Sequence, residues 1–330
     1  MSDAAEPTVI ARREGAAGTV LMNRPKALNA LDLGMIEAFA RIVPDFAADP
    51  AVKLVVLEGA GGRAFCAGGD VRRMRELALA RNAVEIERFF AGEYGVNQAI
   101  ADFPKPWISL IDGVCMGGGI GVSVHGSHRV VTEHALLAMP ETAIALFPDV
   151  GTSHVLPRLP GALGNWLALT GARLKGAEAV EAGLATHFVP RERLPALRAA
   201  LLAGDAAAVD RFAEAVGPGV IAAQRPAIDR CFGHATLPEI RAALEAEGTD
   251  WARDQLAILA RMSPTSMVTT LELLRRGAKL DLPACLAMEL ALTRKVTMHP
   301  DFAEGVRAVL VDKDNKPAWA PAADPAEMFG

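Results

Sequence analysis

Short apolar runs separated by glycine turns fill the first half of the chain, and apolar residues at helical spacing fill the second. Residues 8 to 23 predict two strands about a glycine turn, TVIARREG then GTVLMNRP. DLGMIEAFARIVPDFAA predicts a helix opened by Asp32, and KLVVLEG a buried strand. AFCAGGD is a glycine-containing turn that leads into a helix at DVRRMREL, and residues 83 to 102 carry helical spacing through Ile86, Phe89, Phe90 and Ile100. WISLIDG is a further buried strand. It runs into VCMGGGIGVSVHG, where a glycine cluster gives way to small apolar residues suited to a tightly packed helix, and HRVVTEHALLAM reads as strand again. Strand and helix thus alternate throughout residues 1 to 150, the mark of an α/β core.

From about residue 160 the pattern changes. GALGNWLALTG, AEAVEAGLA and nearly all of 191 to 310 are rich in alanine and leucine at helical spacing. Proline and glycine punctuate this part at VGPGV, Pro264 and Pro283, but no low-complexity linker or short repeat interrupts it. The expected organisation is a core over residues 1–190 and a helical region over 191–330 packed on it.

Composition narrows the function. With 330 residues, 51% hydrophobic and 22% charged, the chain can bury a sizeable core. A net charge of −5 and only 5% aromatic residues argue against nucleic acid as a partner. No apolar run has the length of a membrane span, and MSDAAEPTVI has neither a basic start nor an apolar stretch, so the expected location is the cytoplasm. Cys66, Cys115, Cys231 and Cys285 are far apart and form no C-x-x-C, so they are expected to be reduced, small hydrophobic residues with no metal.

Two carboxylates, Glu141 and Asp149, sit in the nearly apolar stretch MPETAIALFPDVGT. An ionised carboxylate out of water costs on the order of several kcal/mol unless it is paired or its pKa moves. Each follows a proline, so one reading is an acid at a helix start, facing the positive end of the dipole. The other reading is chemistry. Two glycine loops, Ala67-Gly68-Gly69-Asp70 and Gly117-Gly118-Gly119-Ile120-Gly121, follow predicted strands and precede helices. Each is either a packing turn or a set of N–H donors for negative charge.

Several familiar sites fail at named positions. A dinucleotide-binding G-x-G-x-x-G would need glycine where Val122 or Val124 stands, and a phosphate loop on Gly171 and Gly176 meets Ala177 and Glu178 in place of Lys and Ser or Thr. Ser153 and His154 are neighbours, but no G-x-S-x-G elbow exists. His125, His128 and His134 lack H-E-x-x-H spacing. There remain two loops of backbone donors and two acids, a set suited to acyl transfer or enolate chemistry at a carbonyl.

NRPKALNAL (23 to 31), AFCAGGD (64 to 70), GVCMGGGIG (113 to 121), MPETAIALFPDVG (139 to 151) and LTGARLKGAEAVEAGLA (169 to 185) together resemble the crotonase superfamily. That is the enoyl-CoA hydratase and isomerase fold, which binds acyl-CoA thioesters. The resemblance implies a crotonase-like ββα spiral core with an extended helical C-terminal region. Coenzyme A is then part of the substrate, with no separate cofactor. It places the oxyanion donors on the N–H groups of Gly69 and Gly118, and lines the CoA arm with Lys26, Ala27, Leu28 and Ala67, with Asp70 beside them.

Hydratases of this family use two glutamates. Gly121 stands in place of the first, Glu141 matches the second, and Asp149 stands where hydratases usually have glycine. With GGGIGVSVHG and DFAEGVRAVLVDKDNKPAW (301 to 319), that pattern resembles the branch that hydrolyses short branched 3-hydroxyacyl-CoA thioesters, 3-hydroxyisobutyryl-CoA among them. Glu93 in FFAGEYGVNQAI matches a substrate contact of that branch. The resemblance implies a place in valine breakdown, and self-association of the kind the superfamily shows, against which the longer C-terminal tail counts. Two alternatives stay open: a hydratase or isomerase with Glu141 as sole acid and base, and a CoA-binding protein without turnover.

Overall fold

A computed structural model describes residues 6 to 329; the first five residues of MSDAAEPTVI and the residue at 330 lie outside the described part. The described residues form ten strands: β1 (Val9–Glu14), β2 (Ala17–Met22), β3 (Leu54–Gly59), β4 (Ala64–Cys66), β5 (Trp107–Ile111), β6 (Val114–Met116), β7 (His128–Val131), β8 (Leu136–Ala138), β9 (Leu174–Lys175) and β10 (His187–Phe188). They form two sheets, one ordered β1-β2-β3-β5-β7-β10 and one ordered β4-β6-β8-β9. In the larger sheet β1 and β2 are antiparallel and every other pairing is parallel.

Contacts divide the chain into two compact units. The first comprises Met1–Gly69, Gly95–Leu137 and Leu174–Gly217, and the second Asp70–Tyr94, Ala138–Arg173 and Pro218–Gly330. Residue 190 falls inside the last stretch of the first unit. From 191 onward every regular element is helical; Leu194–Leu202 and Ala208–Phe212 belong to the first unit and the helices from Val220 on to the second.

In the first unit the central strands are apolar on both faces, as parallel strands covered on both sides must be. Leu54 and Val56 of β3, Ile108 and Leu110 of β5 and Val130 of β7 pack with Leu197, Leu201 and Val209 of the two helices. The edge strand β1 is exposed over Ala11, Arg12 and Arg13. Asp32 caps the helix Leu33–Ala48 by accepting from the Met35 N–H at 2.8 Å, as its position in the sequence predicts. HRVVTEHALLAM, predicted as one strand, is two. A turn at Thr132, whose carbonyl accepts from Ala135 N–H and whose hydroxyl accepts from His134 N–H, sends β7 into one sheet and β8 into the other.

The smaller sheet decides where the glycine loops go. β4 and β6 are parallel neighbours, so the chain leaves both at the same end. After β6 comes the helix Gly118–Val124, which is buried along its whole length. A Cβ at Gly119 would collide with the Cys66 carbonyl oxygen. Glycine there lets the helix lie against β4.

The second unit is helical. Its helix Pro264–Gly277 buries Met267, Leu273 and Leu274, and a Cβ at Gly277 would collide with the Ser153 carbonyl oxygen. Gly119→Ala should cost about 1–3 kcal/mol of stability by forcing the helix away from β4. Urea denaturation measures it, and an unchanged midpoint would show that the close approach is not needed.

Candidate active site

The loop of NRPKALNAL is stitched to the first glycine loop. Pro25–Ala27 is a single 3₁₀ turn that ends at Leu28 and Asn29, both in the left-handed region at φ 53° and 57°. Asn29 makes that tolerable. Its buried amide donates to Ala60 O and Ala64 O at 2.9 Å each and its oxygen accepts from Arg24 N–H. Leu28 O then accepts from Ala67 N–H at 3.0 Å, and Leu31 N–H donates to Gly68 O at 2.8 Å while Leu31 pairs with Gly69. Lys26 and Ala27 are exposed, so the residues expected along a CoA arm form a surface turn bound to Ala67.

The two expected oxyanion donors lie on neighbouring loops of the first unit. Gly68 adopts φ 109°, a conformation natural only to glycine, and a Cβ built there would stand 4.0 Å from Gly118 N and 3.5 Å from Met116 O. Gly118 is the first residue of its helix, so its N–H has no intrahelical acceptor. Asp70, expected beside the substrate, caps the helix Val71–Leu79 by accepting from Arg73 N–H at 3.3 Å.

In the second unit the structure gathers the acids. Glu93, Glu141 and Asp149 are 2%, 6% and 4% exposed, and Glu289, which sequence reasoning missed, is fully buried. Tyr94, also missed, donates its hydroxyl to Asp149 Oδ2 at 2.8 Å. Glu141 opens a 3₁₀ turn, Glu141–Ile144, held by Ser263 N–H on Thr142 O at 3.1 Å and by the Thr142 hydroxyl on Leu169 O at 3.2 Å. Glu93 Oε1 and Glu141 Oε2 are buried and accept no hydrogen bond among the described residues. Those two oxygens are available to groups that a substrate brings.

Burial pushes every one of these acids toward its neutral form. Glu141 is raised well above the usual carboxylate range by loss of water and then by the Asp149 charge, and Glu93 likewise. Asp149 is raised only to about 7, because the Tyr94 hydroxyl and its own backbone favour the ionised form. Glu289 reaches about 8, burial outweighing the donors on it. Tyr94 is raised as well, by burial and by Asp149. Glu141 and Asp149 are thus both pushed toward the neutral form, and Asp149 titrates near neutral pH, which suits proton exchange between an acid and a base.

The signals for the two missed residues were thin. Tyr94 is the chain's single tyrosine and adjoins Glu93, while Glu289 is a lone acid inside the apolar run LPACLAMELALTRKV.

A family model described as enoyl-CoA hydratase/isomerase matches residues 17–326. The 3-hydroxyisobutyryl-CoA hydrolase, mitochondrial, of Xenopus laevis is 44% identical over 321 residues, covering 94% of this chain and 83% of that protein. The human protein of the same name is 43% identical over 333 residues, covering 97% and 86%. A crystal structure of an enoyl-CoA hydratase from Rhodobacter sphaeroides 2.4.1 superposes with a TM-score of 0.92 at 40% identity, covering 97% of this chain and 96% of the other. The fold is thus the crotonase-like one expected from the motifs.

A buried acid whose folded pKa lies above its unfolded value keeps its proton while the unfolded chain has lost it. Its contribution to stability is full below the ordinary values of 3.8 and 4.5 and is lost as pH rises through about 7 for Asp149 and about 8 for Glu289. Asp149→Asn should therefore gain stability relative to the parent protein as pH rises from about 4 to about 7. Urea unfolding of both proteins at each pH measures the gap, and a gap that stays constant would contradict the raised pKa.

Proposed function

The chain belongs to the enoyl-CoA hydratase/isomerase family, and within it we propose that the protein hydrolyses 3-hydroxyisobutyryl-CoA to 3-hydroxyisobutyrate and CoA. The observation that carries this reading is the buried pair Glu141 and Asp149, together with glycine at 121 where a hydratase keeps its other glutamate. The names of the Xenopus and human relatives support it.

In the proposed reaction Glu141 attacks the thioester carbonyl, or takes a proton from a water that does so. The N–H groups of Gly69 and Gly118 hold the oxyanion, each such donor being worth about 10²- to 10³-fold in rate. The C–S bond then breaks and the thiolate takes a proton from Asp149. In the covalent route water next hydrolyses the acyl-Glu141 anhydride; in the other the acid is already formed. Burial raises Asp149 to about 7, so near neutrality it keeps a share of the proton that the thiolate needs, while the Tyr94 hydroxyl holds its carboxyl in place.

Glu93 and Asp149 are the proposed partners of the substrate hydroxyl. A site built around such a hydrogen bond rejects the analogue without it by about 10⁴-fold, since its polar groups are then left unpaired. Lys26 is exposed and cationic, and Ala27, Leu28 and Ala67 complete the proposed contact with the CoA arm, with Asp70 alongside. A role in valine breakdown and a cytoplasmic location belong to the same proposal. Among the described residues, no helix is long and apolar enough to cross a membrane.

A second reading is hydration by Glu141 alone, favoured by the name of the Rhodobacter structure. Thiol release from 3-hydroxyisobutyryl-CoA, run beside crotonyl-CoA hydration, separates the two. The expected outcome is fast thiol release that falls by about 10³-fold or more in Glu141→Gln and Asp149→Asn, and isobutyryl-CoA turned over far more slowly. Hydration without thiol release would overturn the reading. Single turnover in ¹⁸O water distinguishes the routes, label in Glu141 being the mark of the covalent one.

A further inference from the structure

The turn that carries Asp149 is strained. Val150 follows it at φ 53° and Gly151 at φ 80°, so two successive residues lie in the left-handed region, and the first is β-branched. A β-branched residue there is a true outlier, kept only where surrounding structure imposes it. Thr152 closes the turn locally, its N–H and hydroxyl both donating to Asp149 O at 2.9 and 2.7 Å. A local closure of this kind is made equally well by a mobile loop.

What imposes the conformation comes from a distant helix. Glu289, on Leu282–Val296, accepts from Gly151 N–H through Oε2 at 2.7 Å and from Ser153 N–H through Oε1 at 3.1 Å, and the Ser153 hydroxyl also bonds to Oε1. Three donors of one short turn thus converge on one carboxyl that has no contact with water. Helix caps do not require this: the helix Thr152–Val155 is only four residues long, and a surface acid would serve it. Tyr94 bonds to the Asp149 side chain from the opposite direction in sequence, and Glu289 bonds only to backbone and to Ser153.

We propose that Glu289 is a positioning residue for the hydrolysis, whose carboxyl clamps the backbone of the strained turn at Val150 and Gly151 and so holds the Asp149 carboxylate at its working place against Tyr94. This rests on the hydrolase reading for its kinetic consequence, but its structural half does not. An ionised carboxylate accepts on both oxygens, the form that three converging donors suit, whereas a glutamine must aim its NH₂ group at one of the two backbone N–H donors. Glu289→Gln keeps the volume and breaks the clamp.

Two measurements test it. With 3-hydroxyisobutyryl-CoA, Glu289→Gln should lower kcat by about tenfold or more with KM within about threefold, as a displaced catalytic group does. Replacing Val150 by glycine in that variant removes the reason for the clamp, since glycine adopts φ near +55° freely, and should recover kcat by about threefold or more. Without any substrate, the near-ultraviolet band of the chain's single tyrosine reports whether Asp149 is still bonded to it. The difference between each protein and its Tyr94→Phe counterpart isolates that band, and Glu289→Gln should shift it. If Glu289→Gln is too unstable to purify, Ser153→Ala, which removes one of the three donors, should give the same signature in weaker form. An unmoved tyrosine band, or a rise in KM with kcat unchanged, would overturn the clamp. If the parent protein releases no thiol, the hydrolase reading fails while the tyrosine band still decides for or against the clamp.

Discussion

Withdrawal of four carboxyl groups from water inside one unit is the constraint on which the rest of the site depends. Each such group in ionised form costs several kcal/mol to bury, and like charges close together add to the cost. The structure answers with an unequal distribution of donors. Asp149 receives the Tyr94 hydroxyl, Glu289 receives two backbone N–H groups and the Ser153 hydroxyl, and Glu93 and Glu141 each keep an oxygen with no donor. Burial still outweighs the donors in every case: Asp149 is raised to about 7, Glu289 to about 8, and Glu141 and Glu93 well above the usual carboxylate range.

The first unit solves a different problem by geometry alone. Parallel pairing of β4 with β6 sends two chains out at one end of a sheet, and close approach then falls to glycine. Gly68 supplies a backbone angle that side chains avoid, and Gly119 the space for a helix to lie on Cys66. Asn29 serves the neighbouring turn, since its short amide both tolerates the left-handed region and satisfies two buried carbonyls. No charged side chain is needed for any of this, which is why the glycine spacing is so plain in the sequence.

Much of the fold could be read in advance for the same reason. The buried strands are continuous apolar runs, the helix caps are local, and the glycine loops follow strands. Glu141 and Asp149 were legible as acids inside an apolar stretch, and the helix-start reading holds only in part. Glu141 does open a 3₁₀ turn, and Asp149 does precede a short helix, but an acid placed only for the dipole would face water. Tyr94 and Glu289 escaped because their partners lie 55 and 136 to 138 residues away. Pairing over such separations leaves no period in the sequence, and a lone glutamate in an alanine-rich and leucine-rich helix looks like any other solvated position. The break of HRVVTEHALLAM into two strands escaped for a related cause, since the turn at Thr132 is made by its hydroxyl and not by glycine or proline.

Two buried acids on one short stretch bear on the proton balance of hydrolysis. The overall change adds water across a C–S bond, so one proton must leave the oxygen side and one must arrive at sulfur. A lone glutamate could take the first but would have to release it to solvent, or wait for the thiolate to turn toward it. With burial raising both acids, Asp149 to about 7, one member of the pair can take up a proton as the other gives one up, so that neither proton has to pass through solvent. Hydration of a double bond makes a matching demand, a proton leaving the water oxygen and one arriving at carbon, but it has no thiolate to protonate. Glycine at 121 and aspartate at 149 accord with the proposed hydrolysis, in which Asp149 would serve the leaving group.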